Sequence, residues 1–143
     1  YFLEKEACRC HEINLFDFRL FATKLPSKQS LFELEDILKS IQPPFLMHCK
    51  SGSDRAGLGS ALYFLYVLDA PIEIAQKQLS IKYLHLGGWT AGILDYMLME
   101  FRVANKRNGI KFRDWLDTEY DTIELTEGFN KFRKKNHIFK IPR

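Results

Sequence analysis

The stretch FLMHCKSGSDRAG, residues 45–57, decides the expected fold around a short polar loop. An apolar run from Phe45 to His48 precedes the loop, and such a run is typical of a buried strand. The loop begins at Cys49 and ends at Arg55, where apolar residues start to recur at helical spacing. The sequence therefore predicts a strand, a loop and a helix in succession, with a thiol and a guanidinium at the two ends of the loop.

The predicted loop has the properties of an anion-binding site. Successive backbone N–H groups can converge on an anion in such a loop, and the N-terminus of the following helix adds further N–H groups and positive charge. Gly52 permits backbone angles that other residues resist, and Arg55 offers a planar fork matched to two phosphate oxygens. The same surroundings should lower the pKa of the Cys49 thiol. The loop therefore predicts a thiolate nucleophile beneath a bound phosphate.

The sequence HCKSGSDRAG resembles the H-C-x5-R active-site loop of the cysteine-dependent protein tyrosine and dual-specificity phosphatases. The resemblance implies a phosphomonoester hydrolase that works through a phosphocysteine intermediate, without a metal or another cofactor. It gives Cys49 the role of nucleophile, Arg55 that of phosphate ligand, and His48 that of support for the loop. The phosphate cradle implied by the motif comprises Lys50, Ser51, Gly52, Ser53, Asp54 and Arg55.

A phosphatase of this kind needs a general acid to protonate the leaving oxygen. Counting back from Cys49 by the spacing common in compact family members reaches Asp17. The sequence DFRLFATKLPS, residues 17–27, instead aligns without gaps on the acid loop of the phosphatase-of-regenerating-liver group, with Ala22 at the position of the acid. The second register is favoured, so the usual acid is expected to be absent.

Asp54 is the alternative acid, because it resembles the Asp that precedes the arginine in myotubularin and Sac-type phosphatases. Desolvation and repulsion by a bound phosphate would both raise its pKa toward that of a useful acid. Two structural roles compete with this one: Asp54 as a cap of the following helix, or as an ion-pair partner of Arg55 or Lys50. Ala56, where many family members carry a hydroxyl that helps to hydrolyse the intermediate, predicts slow turnover; Ser51 and Ser53 are candidates to replace that hydroxyl.

The hydrophobic pattern outside the loop predicts an α/β domain. Residues 12–20 alternate between apolar and polar positions, which is the period of a strand. Ser30 and Glu33 form a capping-box pattern, and Asp69 with Pro71 marks another helix start. Helices are expected at residues 2–10, 30–42, from 55 onward, from about 69, at 90–101 and at 112–120. Together these elements indicate a short central sheet flanked by helices.

The family resemblance implies the same dual-specificity-phosphatase-like α/β fold. It is specific over residues 12–68. The family's sheet also has strands that would precede residue 12, so these strands are expected to be missing from the chain or to be supplied by another segment.

Length and composition are those of a single globular domain. The 143 residues suffice to bury one sizeable core, and we expect one phosphatase-like domain over residues 1–143. Three cysteines exclude a complete set of intramolecular disulfides, which favours a reducing, cytoplasmic setting. The net charge of +3 suits phosphate-bearing partners. No apolar stretch approaches the roughly 20 residues of a membrane span.

The expected substrate is a phosphorylated protein, with a phosphoinositide or inositol phosphate as the alternative. Asp54 favours a lipid, whereas Ser53 stands where some inositol-phosphate phosphatases carry a second lysine. A phosphate-binding pseudophosphatase is a further alternative because of Ala22 and Ala56, and a rhodanese-like enzyme of the Cdc25 type is less favoured.

The basic tail, about residues 131–143, interleaves cations with apolar side chains. We favour a solvated terminal stretch over a weak contact with anionic membranes, and no nucleic-acid partner is expected. His85 and Trp89 are candidates for the rim of the pocket, although core packing is favoured for both.

Overall fold

The computed structural model describes residues 1–86 and 91–135, and its regular structure is helical. Seven α-helices lie in these ranges: α1 (Phe2–Cys10), α2 (Lys28–Ser40), α3 (Asp54–Tyr66), α4 (Ile72–Gln76), α5 (Gly92–Asn108), α6 (Phe112–Thr118) and α7 (Thr122–Lys135). A 3₁₀ turn, Ile81–Tyr83, follows α4. No residue in these ranges belongs to a β-strand, so the prediction of an α/β, dual-specificity-phosphatase-like fold with a short central sheet is wrong.

The two segments predicted as strands, residues 12–20 and 45–48, form no strand pairing with other described residues. In the first segment Phe16 is 51% exposed, although its alternating pattern predicted a buried face. In the second segment Met47 packs against the core, whereas Leu46 is 86% exposed. The apolar and polar alternation therefore indicates which side chains of each segment pack against the helices. A strand also needs a backbone partner, and a period of two carries no information about one.

Helix α3 occupies the centre of the core and begins at the end of the candidate loop. Its residues Leu58, Ala61 and Leu62 are fully buried, and the helix packs against α2, α4 and α6. Burial contributes about 1.5–3 kcal/mol for each leucine. This packing gives the end of the loop a rigid base.

Two glycines on α3 allow neighbouring segments to lie unusually close to it. A Cβ at Gly57 would stand 2.9 Å from the carbonyl oxygen of Gln78. A Cβ at Gly59 would stand 2.3 Å from Sδ of Met47, which precedes Cys49 by two residues. The contact at Gly59 therefore positions the segment that leads into the loop.

The C-terminal half of the core is rich in aromatic side chains. Phe101 of α5 contacts Phe112 and Trp115 of α6, with ring centroids 4.9 and 5.5 Å apart. Tyr120 packs on Trp115, and its hydroxyl donates a buried hydrogen bond of 2.6 Å to the carbonyl oxygen of Pro26. This bond ties the segment before α2 to the helices at the other end of the chain.

Two predicted helix starts need correction. The hydroxyl of Ser27 accepts a hydrogen bond from the Ser30 backbone N–H, so Ser27 and not Ser30 is the N-cap of α2. At α4 the N-cap is Pro71 and not Asp69. At α2 a neighbouring serine makes the capping hydrogen bond, whereas Pro71 makes no side-chain cap bond; sequence patterns locate a helix start only to within a few residues.

The predicted basic tail is in part the end of a helix that the pattern did not indicate. Helix α7 extends through residues 131–135, while residues 136–143 lie outside the described part of the chain. Leu125 and Phe129 anchor α7 on the core. Within the described ranges, no helix combines the length and apolar character that a bilayer crossing needs.

Candidate active site

The loop that begins at Cys49 folds around the Cys49 sulfur. The backbone N–H groups of Ser51, Gly52 and Ala56 each favour the charged form of this sulfur. Gly52 has a φ of +72°, a left-handed conformation that glycine adopts without strain. The loop thereby presents several N–H donors to one side, which is the arrangement that an anion requires.

These donors change the acidity of the Cys49 thiol. Burial favours the neutral thiol, but the three N–H groups and the charge of Arg55 outweigh burial and lower the pKa of Cys49 below its ordinary value of 9.0. A lowered pKa increases the fraction of thiolate at neutral pH, and the thiolate is the nucleophilic form. The loop therefore favours a reactive sulfur beside a guanidinium.

The loop enters α3 through Ser53, which is the buried N-cap of that helix. Its carbonyl oxygen accepts the Gly57 N–H at 2.8 Å, and its hydroxyl lies 3.5 Å from that of Ser51. Lys50 is exposed, and Arg55 stands in the first helical turn. The N-terminus of α3 therefore faces the loop with its partial positive charge.

Asp54, the first residue of α3, pairs with a histidine that is distant in sequence. Its Oδ1 lies 2.7 Å from Nδ1 of His85, and its side chain is 24% exposed. The described residues show no ion pair of Asp54 with Lys50 or Arg55, and Ser53 holds the capping position. The partner of Asp54 thus differs from both structural roles considered from the sequence.

His85 has a second carboxylate partner on its other side. Its Nε2 lies 2.6 Å from Oδ2 of Asp95 on α5, and its own side chain is only 2% exposed. Burial lowers the pKa of His85, but the hydrogen bonds to Asp95 and Asp54 outweigh this effect and raise that pKa above 6.5. Burial also raises the pKa of Asp95, despite the opposing influence of His85. We call Asp54, His85 and Asp95 the carboxylate–histidine cluster.

The two remaining candidates for site residues contact α1 and its start. Nε2 of His48 lies 2.6 Å from Oε1 of Glu4, so His48 links the segment before Cys49 to α1. Asp17 is exposed and lies near the Tyr1 hydroxyl, whose pKa it raises. No hydrogen bond or ion pair joins Asp17 to the loop among residues 1–86 and 91–135.

The favoured alignment of residues 17–27 left Ala22 at the acid's position. Ala22 is half-buried and carries no proton to donate. At the end of the loop, Ala56 lacks a hydroxyl, although its backbone N–H helps to lower the pKa of Cys49. Within the described loop, the carboxylate next to Arg55 is that of Asp54.

Known proteins give no guide to this site. Neither family models, nor curated proteins, nor solved structures match the chain. Any functional conclusion therefore depends on the geometry and chemistry of the loop and of the carboxylate–histidine cluster.

Sequence patterns identified the loop but missed the cluster. His85 is indeed packed in the interior, yet both of its ring nitrogens are engaged by carboxylates. Asp95 had received no role, because an acidic residue in the first turn of a helix is common and gives no signal of a buried partner. Trp89, the other candidate for the rim, lies outside the described residues.

Proposed function

We propose that this chain is a phosphomonoester hydrolase that acts through a phosphocysteine intermediate on Cys49, with phosphorylated proteins as its substrates. The observation that carries the proposal is the loop itself, which leads from Cys49 into the N-terminus of α3 with Arg55 in its first turn, and in which three backbone N–H groups and Arg55 lower the pKa of the Cys49 thiol. A buried structural cysteine has no need of such donors. The proposal depends on the loop and does not require the sheet that the family resemblance implied.

In the proposed reaction the Cys49 thiolate attacks phosphorus. The S–P bond forms as the P–O bond to the leaving group breaks, and a proton passes to the leaving oxygen. The guanidinium of Arg55 and the N–H groups of the loop bind the non-bridging oxygens, where charge is held in the transition state. Water then attacks phosphorus, the S–P bond breaks, and the thiolate and inorganic phosphate are released.

The first test is hydrolysis of p-nitrophenyl phosphate by the full chain in the presence of EDTA. We expect turnover that Cys49→Ser abolishes and that vanadate inhibits. Arg55→Lys should lower kcat/KM by at least about 100-fold, because an ammonium cannot make the bidentate contact. Cys10→Ser is the matched control, since Cys10 is an exposed thiol on α1, and it should leave turnover unchanged.

The intermediate itself can be trapped by rapid acid quenching and located by mass spectrometry. A phosphoryl group on Cys49 is the expected result. Binding of phosphate without any turnover would instead support a pseudophosphatase, and cyanide-dependent sulfur transfer would support a rhodanese-like enzyme. Hydrolysis that survives Cys49→Ser would refute the proposed nucleophile.

A further inference from the structure

The carboxylate–histidine cluster joins the end of the candidate loop to two other parts of the chain. Asp54 belongs to the first turn of α3, His85 follows the 3₁₀ turn, and Asp95 lies on α5. The two N···O distances are 2.7 and 2.6 Å, and the imidazole between the carboxylates is nearly inaccessible to solvent. Such short contacts to a buried ring require a hydrogen atom in each of them.

Counting the protons shows that the cluster holds one more than its ordinary ionised forms supply. A neutral imidazole carries a single N–H, so it can donate to only one of two carboxylates. The second contact needs either an imidazolium or a protonated carboxyl group. In both cases the cluster has a net charge of −1 instead of −2, and it shares one additional proton among three groups.

The surroundings of His85 keep this proton in place. The charged groups facing its ring are Asp54 from α3 and Asp95 from α5, and both raise the pKa of His85. The cavity beside the ring also contains Tyr96, whose pKa burial raises to about 12, and Phe129 from α7. No described cation stands against the ring to expel the proton.

The far end of the cluster faces open space. His85 and Asp95 line a cavity of about 390 Å³. The side chain of Asp95 is 39% exposed, whereas that of His85 is 2% exposed. Asp95 is thus the end of the cluster that can exchange protons with water, and Asp54 is the end next to Arg55.

We propose that the cluster stores the proton for the leaving group, that Asp54 delivers it as the catalytic acid, and that His85 and Asp95 are positioning residues which hold it there. The proposal rests on the proposed phosphatase function. A bound phosphate carries negative charge that opposes the effect of Arg55, so it favours the form in which the shared proton sits on Asp54, the member adjacent to Arg55 in the sequence.

The proton balance of the proposed cycle is complete. In the first step the Asp54 carboxyl gives its proton to the leaving oxygen as the P–O bond breaks, which leaves a carboxylate and an alcohol or phenol. In the second step a water molecule gives its hydroxide to phosphorus and its proton to Asp54 as the S–P bond breaks. The cluster then holds the same number of protons as at the start.

The test compares two substrates that differ in their need for an acid. Phenyl phosphate has a poor leaving group and needs the proton, whereas p-nitrophenyl phosphate needs it far less. We expect His85→Asn to lower the ratio of kcat/KM for phenyl phosphate over p-nitrophenyl phosphate by about 100-fold. Without the ring, Asp54 loses the proton that it delivers, and the effect equals loss of the acid. Asp95→Asn should lower the ratio by about tenfold, because it acts through His85. Ser80→Ala, in the wall of the same cavity, is the matched control and should leave the ratio unchanged.

The pH profile provides a second reading. Activity on phenyl phosphate should fall on the basic limb where the cluster loses its shared proton, and this limb should move to lower pH in Asp95→Asn. If the role of His85 were purely structural, His85→Asn would lower kcat/KM equally for both substrates, and the basic limb would stay in place in Asp95→Asn. Either result would overturn the proposal.

Nuclear magnetic resonance detects the shared proton of the cluster without a measurement of activity. In the wild-type chain the ring nitrogens of His85, identified by their change in Asp95→Asn, should titrate above the ordinary histidine pKa of about 6.5. Absence of any titration above that value, at the ring and at both carboxyl groups, would overturn the proposal even if His85→Asn failed to fold. Absence of any Cys49-dependent hydrolysis by the wild type would refute the proposed function and the delivery step together, whereas an unchanged substrate ratio in an active enzyme would refute the acid store alone.

Discussion

The contact between Met47 and Gly59 makes a quantitative prediction about how the loop is held. Replacing Gly59 with alanine would place a Cβ 2.3 Å from Sδ of Met47. Favourable carbon contacts lie at about 3.5–4.0 Å, so the Met47 side chain, which is packed against the core, would have to shift by about 1 Å or more. Such overpacking costs about 2–3 kcal/mol. Alanine has a better helix propensity than glycine, which stabilises the helix by about 1 kcal/mol.

Gly59→Ala should therefore lower the free energy of unfolding by about 1–2 kcal/mol, or the melting temperature by about 3–8 °C. Urea denaturation followed by circular dichroism measures the first quantity. Ser60→Ala, the next position on α3, is the control that changes helix propensity without adding this contact.

A double-mutant cycle with Met47→Ala isolates the contact. The double variant should be more stable than the sum of the two single changes predicts, by about 1–2 kcal/mol. Because Met47 precedes Cys49 by two residues, hydrolysis of p-nitrophenyl phosphate should fall in Gly59→Ala and recover in part in the double variant. A Gly59→Ala protein as stable as the wild type, with no coupling to Met47, would refute the close approach.

Three further predictions concern the thiol, the buried histidine and the buried tyrosine. Because the pKa of Cys49 is lowered, iodoacetamide should alkylate it at neutral pH faster than it alkylates the other cysteines, and vanadate should protect it. Mass spectrometry of peptides measures the labelling of each cysteine, and equal labelling of all three would contradict the prediction. The pKa of His85 is raised above 6.5, so its contribution to stability is complete below pH 6.5 and disappears as pH rises through its folded pKa. Denaturation across pH 6–9 should show this decline in the wild type and a flatter profile in His85→Asn, and a parallel profile would count against the raised pKa. Tyr120→Phe should lower the free energy of unfolding by about 1–3 kcal/mol, because it leaves the Pro26 carbonyl oxygen without its donor. Tyr83→Phe, at an exposed site, should change this free energy little, and equal effects of the two substitutions would argue against the buried hydrogen bond.

The helices were largely predictable, whereas the absence of a sheet was not. The stripe of α5 and the apolar positions of α3 repeat every three to four residues, and this period directly reports a buried helical face. The alternation in residues 12–20 also reported partial burial. It could not report whether a second backbone lies alongside, because pairing depends on residues far away in sequence.

Of the two parts of the site, the loop could be predicted from the sequence and the carboxylate–histidine cluster could not. The loop from Cys49 to Arg55 is built from consecutive residues, so its sequence carries its chemistry. His85 is 31 residues from Asp54 and 10 from Asp95, and only the packing of the helices brings them together. A sequence pattern has no means of showing that a buried imidazole is placed between two carboxylates.

Asp54 precedes Arg55 directly, and both belong to the first turn of α3. In the proposed mechanism, proton donor and phosphate ligand therefore move together as parts of one rigid helix. An enzyme whose acid lies on a separate loop must wait for that loop to swing shut before each turnover. This arrangement has no such waiting step, so added viscogen should slow product formation only through diffusion of the substrate and product.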